Sequence, residues 1–216
     1  MDKSVLAKVE AFFAQYPTKH FEKGHIVIHA HEEPAGVFYL VRGQVRQYDI
    51  TVRGSEVVVN VFKPPAFFPM MWAVSRTPNR YFFEAITSVT VRLAPADAVV
   101  AFVQANNDVL FDLLSRVYSG VEGMQRRMAH LMGGTARTRV LFELLTECKR
   151  FGRLQPDGSW AIALHEEELA RRAGLTRETV NRMLVDLKKQ QLITIARKQI
   201  VVRNSTELEK ELGEDL

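Results

Sequence analysis

The feature that most constrains the fold of this chain is a change in hydrophobic period near Pro95. Before it, short segments rich in Val, Ile, Phe and Tyr follow one another and are separated by glycines. Short strands at such close spacing are typical of an all-β sandwich or barrel, and not of alternating βαβ units. We therefore expect one N-terminal helix and then a β-rich domain over about residues 18 to 95.

After Pro95 the apolar residues follow a helical period. One series of them is spaced alternately 4 and 3 residues apart, which is the 3.5-residue average of a coiled-coil seam. Its members are Leu110, Leu114, Val117, Val121, Met124, Met128 and Leu131. A helix packed on its own domain could also carry such a series, but the narrow stripe favours a dimerisation helix. The segment "MGGTAR" then interrupts the pattern and predicts a hinge before the next helix.

The composition excludes several classes of protein. The chain of 216 residues is 47% hydrophobic and 25% charged, which is the balance of a globular protein. Its apolar runs are too short for a membrane span, and its N-terminus lacks the pattern of a signal peptide, so we expect a cytoplasmic protein. The single cysteine, Cys148, cannot by itself form an intrachain disulfide or an iron–sulfur cluster.

Charge is distributed unevenly along the chain. Residues 149–204 carry 12 basic and 6 acidic residues, a net charge of +6, and this block is a candidate footprint for a polyanion. Residues 205–216 carry 1 basic and 5 acidic residues, a net charge of −4, and we interpret them as a solvated tail.

The basic block contains a segment with the spacing of a helix-turn-helix, "LHEEELARRAGLTRETVNRMLVDLKKQQLI". Its first helix is predicted from about Glu166 to Ala173, and Gly174 permits the tight turn. Thr176 is placed to cap a second helix, because its hydroxyl can accept from the free amides of the first turn. The inward-facing residues are Leu169, Ala170, Leu175, Val180, Leu184 and Leu187.

The outer face of the second helix carries side chains suited to base edges. Arg177, Glu178, Asn181 and Arg182 point the same way near the helix N-terminus, the part of a recognition helix that enters the major groove. Each arginine can bind a guanine through O6 and N7, and Glu178 can accept from a cytosine amine. Candidate contacts to the DNA backbone are Thr176, Thr179, Lys188, Lys189, Arg137, Arg139, Arg197 and Lys198. The last two lie at the tip of a predicted β-hairpin, "LITIARKQIVV", which we interpret as a wing.

The segment "LTRETVNRML" resembles the recognition helix of the CRP/FNR family of bacterial transcription regulators, and "FEKGHIVIHAHEEPAGVFYLVRGQVRQY" is similar to that family's opening β-roll segment. The resemblance implies an α+β chain with a double-stranded β-helix (jelly-roll) sensor domain resembling a cyclic nucleotide-binding domain at 1–104. It further implies a long dimerisation helix and hinge at 105–134 and a winged helix-turn-helix DNA-binding domain at 135–216. It implies a homodimer on a TGTGA-like palindrome, with double-stranded DNA and RNA polymerase as partners. Arg177, Glu178 and Arg182 match the family's base-reading positions, whereas Asn181 departs from the usual glycine or serine.

The predicted sensor domain departs from the cyclic-nucleotide-binding members of the family. Those members carry roughly Gly-Glu-Leu after the sixth strand and, about ten residues later, Arg-Ser or Arg-Thr. Here Pro69 and Met70 replace the glycine and the glutamate, Tyr81 and Phe82 stand at the hydroxyl, and only Arg80 remains. A bound phosphate would be poorly compensated, so we do not expect cyclic AMP or cyclic GMP in the usual mode.

The segment that replaces this cassette, "KPPAFFPMMW", is strongly apolar and leaves three hypotheses open. It could line a pocket for an apolar effector, pack shut, or dock on the dimerisation helix, the option that we favour. The candidate pocket residues are Phe67, Phe68, Met70, Met71, Trp72, Arg80 and Tyr81.

Two alternatives to this interpretation remain. His25, His29 and His31 share one strand face, so a haem or metal sensor is conceivable. The basic face could instead serve a ligand-binding or scaffold protein that does not bind DNA. No nucleophile–base motif, phosphate loop or metal-ligand pair points to an enzyme, and we expect no catalytic residue.

Overall fold

The computed structural model describes residues 1–52, 54, 56–196 and 199–213. The chain forms two compact units, residues 1–119 and residues 120–216, and the boundary between them falls within one long helix.

The first unit contains two four-stranded antiparallel sheets in the β-roll arrangement. One sheet has the strand order β1-β8-β3-β6 and the other has the order β2-β7-β4-β5. The strands are β1 (Thr18–Phe21), β2 (Ile26–Ile28), β3 (Val37–Arg42), β4 (Val45–Ile50), β5 (Glu56–Phe62), β6 (Ala66–Phe68), β7 (Phe82–Ala85) and β8 (Val89–Ala94). These strands confirm the predicted β-rich region.

Helices accompany the sheets and bury one outer face of the roll. They are α1 (Lys3–Ala14), α2 (Met70–Ser75), α3 (Ala96–Ala105) and the long α4 (Asn107–Gly133). Strand β3 shows the consequence, because four successive residues, Val37 to Leu40, are buried. Phe38 and Leu40 belong to the core between the sheets, and Val37 and Tyr39 belong to a second core with α1 and α3. Alternate side chains of a strand point to opposite faces, so each face of β3 has its own apolar partner.

The second unit begins within α4 and continues through a helical and β-hairpin domain. Thr135 caps α5 by accepting from the amide of Thr138, and Gly152 caps its C-terminus. The elements are α5 (Ala136–Phe151), β9 (Arg153–Leu154), β10 (Trp160–Ile162), α6 (Glu166–Ala173), α7 (Arg177–Lys189), β11 (Ile193–Ala196), β12 (Gln199–Val202) and α8 (Ser205–Leu212). The small sheet has the order β11-β12-β10-β9.

The prediction of a solvated acidic tail is wrong for residues 205–212. This segment is α8, capped by the Asn204 side chain, and it buries Leu208 and Leu212 in the core of the domain. Lys149 of α5 pairs with Glu209 at 2.9 Å. The two leucines are four residues apart on one helical face, so the acids can face outward while that face packs. Charge counting alone missed this amphipathic pattern.

Candidate DNA-binding site and sensor domain

Helices α6 and α7 form the predicted helix-turn-helix. Gly174 ends α6 with φ +62°, a left-handed conformation that glycine adopts without steric cost, and it turns the chain into α7. The Thr176 hydroxyl accepts from the Thr179 amide at 3.2 Å and so caps α7. Both helices are anchored through their predicted inner residues, which lie in one core with α5. These residues are Leu169, Ala170, Val180, Leu184 and Leu187, with Leu175 partly buried beside them.

The four predicted base-reading side chains lie together on the exposed surface of α7. Arg177, Glu178, Asn181 and Arg182 are all exposed within the first two turns of the helix. Arg182 Nη2 lies 3.4 Å from the Thr179 hydroxyl, which in turn lies 2.9 Å from that of Thr176. The N-cap therefore also supports Arg182, one of the arginines predicted to read bases.

The predicted backbone contacts divide into two groups. Lys188 and Lys189 are exposed in the last turn of α7, and Thr176 is exposed at its start, as expected for groups that meet phosphates. Thr179 and Arg139 are half-buried, and Arg139 Nε donates to the Gly134 carbonyl at 3.3 Å. The predicted wing is the hairpin formed by β11 and β12. Its tip residues Arg197 and Lys198 lie outside the described residues.

Arg137 belongs to neither group, because its guanidinium is bound within the domain. It donates to carboxylates of Asp186 on α7 and Glu211 on α8, and Nη2 donates to Gln190 Oε1 at 2.7 Å. Its pKa is raised by the hydrogen bonds that it donates to Glu211 and by the charge of Asp186, although partial burial opposes the rise. This placement favours a structural role for Arg137 over the predicted phosphate contact.

Comparisons with known proteins agree with this architecture. The cyclic nucleotide-binding domain model matches residues 18–106, and the Crp-like helix-turn-helix domain model matches residues 126–211. The chain belongs to the CRP/FNR family of transcription regulators. It resembles the global nitrogen regulator of Synechococcus elongatus with 28% identity over 200 residues, covering 89% of this chain and 88% of the relative.

Another relative is named as a transcriptional regulator, and two solved structures have a similar fold. The CRP-like cAMP-activated global transcriptional regulator of Mycobacterium tuberculosis is 24% identical, covering 93% of this chain and 90% of that protein. The solved structure of FixK2 from Bradyrhizobium japonicum superposes with a TM-score of 0.73 and 26% identity, covering 90% of this chain and 96% of that one. A mutant of CooA from Carboxydothermus hydrogenoformans superposes with a TM-score of 0.79 at 18% identity, covering 98% and 97% of the two chains, and shows the shared fold.

In this CRP/FNR member the interior of the β-roll is filled by aromatic side chains. Phe68 and Phe83 are 1% and 2% exposed, and their rings stack with centroids 5.2 Å apart. Phe62 lies 5.0 Å from Phe68, and Phe38 stacks on its other side at 5.9 Å. These residues come from β3, β5, β6 and β7, so the stack ties the two sheets together.

The seven candidate pocket residues do not surround one cavity. Phe68 and Tyr81 belong to the core between the sheets, whereas Phe67, Met70 and Trp72 belong to the core beneath the helices. Met71 and Arg80 are exposed. The candidate pocket residues are therefore divided between two cores, because neighbouring strand residues Phe67 and Phe68 point to opposite faces.

The apolar segment also contacts the long helix, as the docking hypothesis expects. Val109 and Leu113 from the first turns of α4 belong to the same core as Phe67 and Trp72. Arg116 Nη1 donates to the Pro65 carbonyl at 2.8 Å. The segment that replaces the phosphate cassette is thus held against the helix that carries the seam.

Asn79 organises the neighbourhood of Arg80 and was missed in the sequence. It is buried, and its amide donates to the carbonyls of His29 and Tyr81, both at 2.9 Å. The Tyr81 amide donates back to Asn79 Oδ1 at 3.2 Å. Asn79 therefore holds the chain in a fixed loop that leaves the Arg80 side chain outside. The sequence signal was weak, since an asparagine after a proline mostly indicates a turn.

Most apolar side chains of the seam on α4 are exposed to solvent in the part of the chain that the structure describes. Six of its seven residues, all except Leu131, are between 39% and 58% exposed. Leu131 is half-buried and lies close to the turn at Gly174, so it contributes to its own domain. Exposed Phe111 and Tyr118 extend the apolar surface beside the seam.

Buried ion pairs connect the helices of the DNA-binding domain, and sequence patterns did not predict them. Arg127 of α4 binds the buried carboxylate of Glu143 through two hydrogen bonds of 2.8 and 2.9 Å. Arg172 of α6 binds Glu147 of α5 at 2.7 Å and Glu168 at 2.9 Å. Burial would lower the pKa of Arg172, but these two carboxylates more than offset it and raise that pKa. Arg127 and Glu143 lie 16 residues apart in sequence and Arg172 and Glu147 lie 25 apart, so only the fold brings these two pairs together.

Among the described residues, neither the cysteine nor the potential metal ligands form a reactive or metal-binding site. Burial, with the nearby charge of Glu147, raises the pKa of Cys148 to about 12, so the thiol is protonated and unreactive at neutral pH. The described residues contain no cluster of three or more potential metal ligands. Within the same ranges, no helix has the length and apolar character needed to cross a membrane.

Proposed function

We propose that this CRP/FNR member is a homodimeric regulator that reads a TGTGA-like palindrome through Arg177, Glu178, Asn181 and Arg182. The observation that carries the proposal is the exposure of these four side chains together on a capped, well-anchored α7. The proposed partners are double-stranded DNA, a second copy of the chain and RNA polymerase, in the bacterial cytoplasm.

The exposed seam of α4 supports the proposed homodimer. An apolar stripe with a 3.5-residue period, left uncovered over five turns of helix, is what a parallel partner helix would bury. A two-fold dimer places two recognition helices about one DNA turn apart, which is the reason for proposing a palindrome.

The proposed sensor is closed to cyclic nucleotides in the usual binding mode. Three observations support this. Pro69 offers no amide donor, Met70 is turned into an apolar core, and Arg80 lies on the surface. The Phe68–Phe83 stack meanwhile occupies the interior of the roll. The relative from Mycobacterium tuberculosis is named as cAMP-activated, and this chain lacks the residues through which that property would be transferred.

A DNA-binding titration tests the reading of sequence. We expect the protein to bind a TGTGA palindrome in preference to a scrambled duplex, with affinity that falls steeply as salt rises. Arg182→Ala should weaken binding by about 1–3 kcal/mol and relax specificity at one base pair. Lys210→Ala, which removes a charge from α8, is the matched control and should leave the preference unchanged. Equal binding of both duplexes by the unaltered protein would contradict the proposal.

A further inference from the structure

The first residues of the two helices of the helix-turn-helix face each other. Glu166 begins α6 and Arg177 begins α7, and Arg177 Nε lies 3.7 Å from Glu166 Oε2. This is the separation of an ion pair. The arginine side chain is 75% exposed and the glutamate side chain 33% exposed. The pair therefore lies at the edge of the exposed face of α7 that carries the four proposed base-reading residues.

The contact with Glu166 involves Arg177 Nε and leaves the two terminal nitrogens of the guanidinium available. The carboxylate approaches Nε, and the two terminal nitrogens of Arg177 have no partner among the described residues. A guanine is bound through two parallel hydrogen bonds to O6 and N7, which the terminal nitrogens can supply. Glu166 can therefore hold the stem of the guanidinium while its end meets a base.

The neighbouring acids do not share this placement. Glu167 and Glu168 pair with Arg171 and Arg172 on their own helix, three or four residues away. All three acids stabilise the N-terminus of α6 through the helix dipole. Glu166 differs from the other two in its reach to α7, which dipole stabilisation does not require.

We propose that Glu166 is a positioning residue that fixes the guanidinium of Arg177 for bidentate binding of one guanine. The inference rests on the proposed reading of DNA by α7. A long, exposed arginine loses much side-chain freedom when it binds a base, and a carboxylate partner that restricts it beforehand reduces that loss. The residue acts through Arg177 and needs no contact with DNA.

This role is distinguishable from a plain charge effect. Removing any acid near a DNA-binding surface raises affinity for all sequences evenly, since it strengthens the phosphate field. Removing a positioning acid reduces discrimination at the single base pair that Arg177 reads, and leaves the other positions as they were.

The test is a binding titration against duplexes in which each base pair of the half-site is replaced in turn. Arg177→Ala first identifies the base pair read by Arg177, as the one where its discrimination is lost. We expect Glu166→Ala to reduce discrimination at that same base pair by about 1.5- to fivefold, the range of a surface ion pair. Glu166→Gln keeps the size of the side chain but removes its charge and should give a similar loss, because the 3.7 Å contact is an ion pair and not a hydrogen bond. Glu167→Ala removes the same charge without the contact and should change all affinities evenly.

The outcomes separate the two proposals. If the Glu166 variants keep the unaltered protein's discrimination at the base pair read by Arg177, or only shift all affinities evenly as Glu167→Ala does, the positioning role is wrong. If the unaltered protein itself prefers no base pair, the proposed reading of DNA fails. Thermal melting of each variant shows whether the domain is folded.

Discussion

Phe68 and Phe83 stack almost parallel inside the β-roll, with ring planes 6° apart and centroids 5.2 Å apart. Phe68 stands on β6, within the apolar segment "KPPAFFPMMW", and Phe83 stands on β7, which follows that segment. Both rings belong to the hydrophobic core between the two sheets.

The first prediction concerns the stability of this core. Phe68→Ala should lower the free energy of unfolding by about 3–5 kcal/mol, because it removes a fully buried ring and leaves a cavity. Met71→Ala, at an exposed residue of the same segment, should change it by less than about 0.5 kcal/mol. Chemical denaturation of the purified protein measures both, and equal effects of the two variants would contradict the proposed packing.

The second prediction concerns cyclic nucleotides. Cyclic AMP and cyclic GMP at millimolar concentration should leave the melting temperature and the DNA affinity unchanged. A ligand at a hundred times its dissociation constant would stabilise the folded state by about 2.7 kcal/mol, which is readily detected. A thermal shift with either nucleotide, abolished by Arg80→Ala, would overturn the proposal of a closed sensor.

The third prediction concerns the seam of α4. Val117→Glu and Val121→Glu each place a charge in the proposed dimer interface and should convert the dimer into a monomer in analytical ultracentrifugation. Ser115→Glu adds the same charge to an exposed position of the same helix outside the seam and should remain dimeric. If the seam variants kept the mass of a dimer, a different surface would have to form the interface.

The fourth prediction separates the two roles considered for Arg137. A phosphate contact would add about 0.9 to the slope of log affinity against log salt, and its loss would reduce the slope by that amount. We expect Arg137→Ala to keep the slope but to lower the melting temperature, because it removes the hydrogen bonds and ion pairs that connect α5 to α7 and α8. Lys188→Ala should show the opposite pattern, with a reduced slope and an unchanged melting temperature.

The fifth prediction concerns acid stability. Burial by itself would raise the pKa of Glu168, but hydrogen bonds and charges from Arg171 and Arg172 lower it below its ordinary value. Because the folded pKa is the lower one, Glu168 stabilises the fold above the ordinary pKa of a glutamate and stops doing so as the pH falls through the folded value. Glu168→Gln should therefore cost about 1–3 kcal/mol at pH 7 and show a smaller further loss between about pH 5 and pH 3. The measurement is urea unfolding at a series of pH values. If Glu168→Gln lost as much stability between about pH 5 and pH 3 as the unaltered protein, this assignment would be contradicted.

Local patterns in the sequence determined the recognition surface. Gly174 and Thr176 set the turn and the cap of α7 from within a few residues, so the placement of Arg177 and Arg182 follows from helical spacing alone. The strands of the β-roll and the period of the α4 seam are likewise short-range signals, and they predicted a β-rich region followed by a long helix.

Only the tertiary structure decided which groups meet across long stretches of chain. The composition showed that the segment around Phe67 and Phe68 is apolar. It did not show that the two rings, which point to opposite faces of β6, pack in different cores. The sequence suggested that Arg137 is available to bind a phosphate, but in the fold it pairs with Glu211. This partner lies 74 residues away and is brought to Arg137 by α8. Periodicity describes the neighbours of a residue on its own element, whereas burial and ion pairing depend on the neighbours that packing supplies.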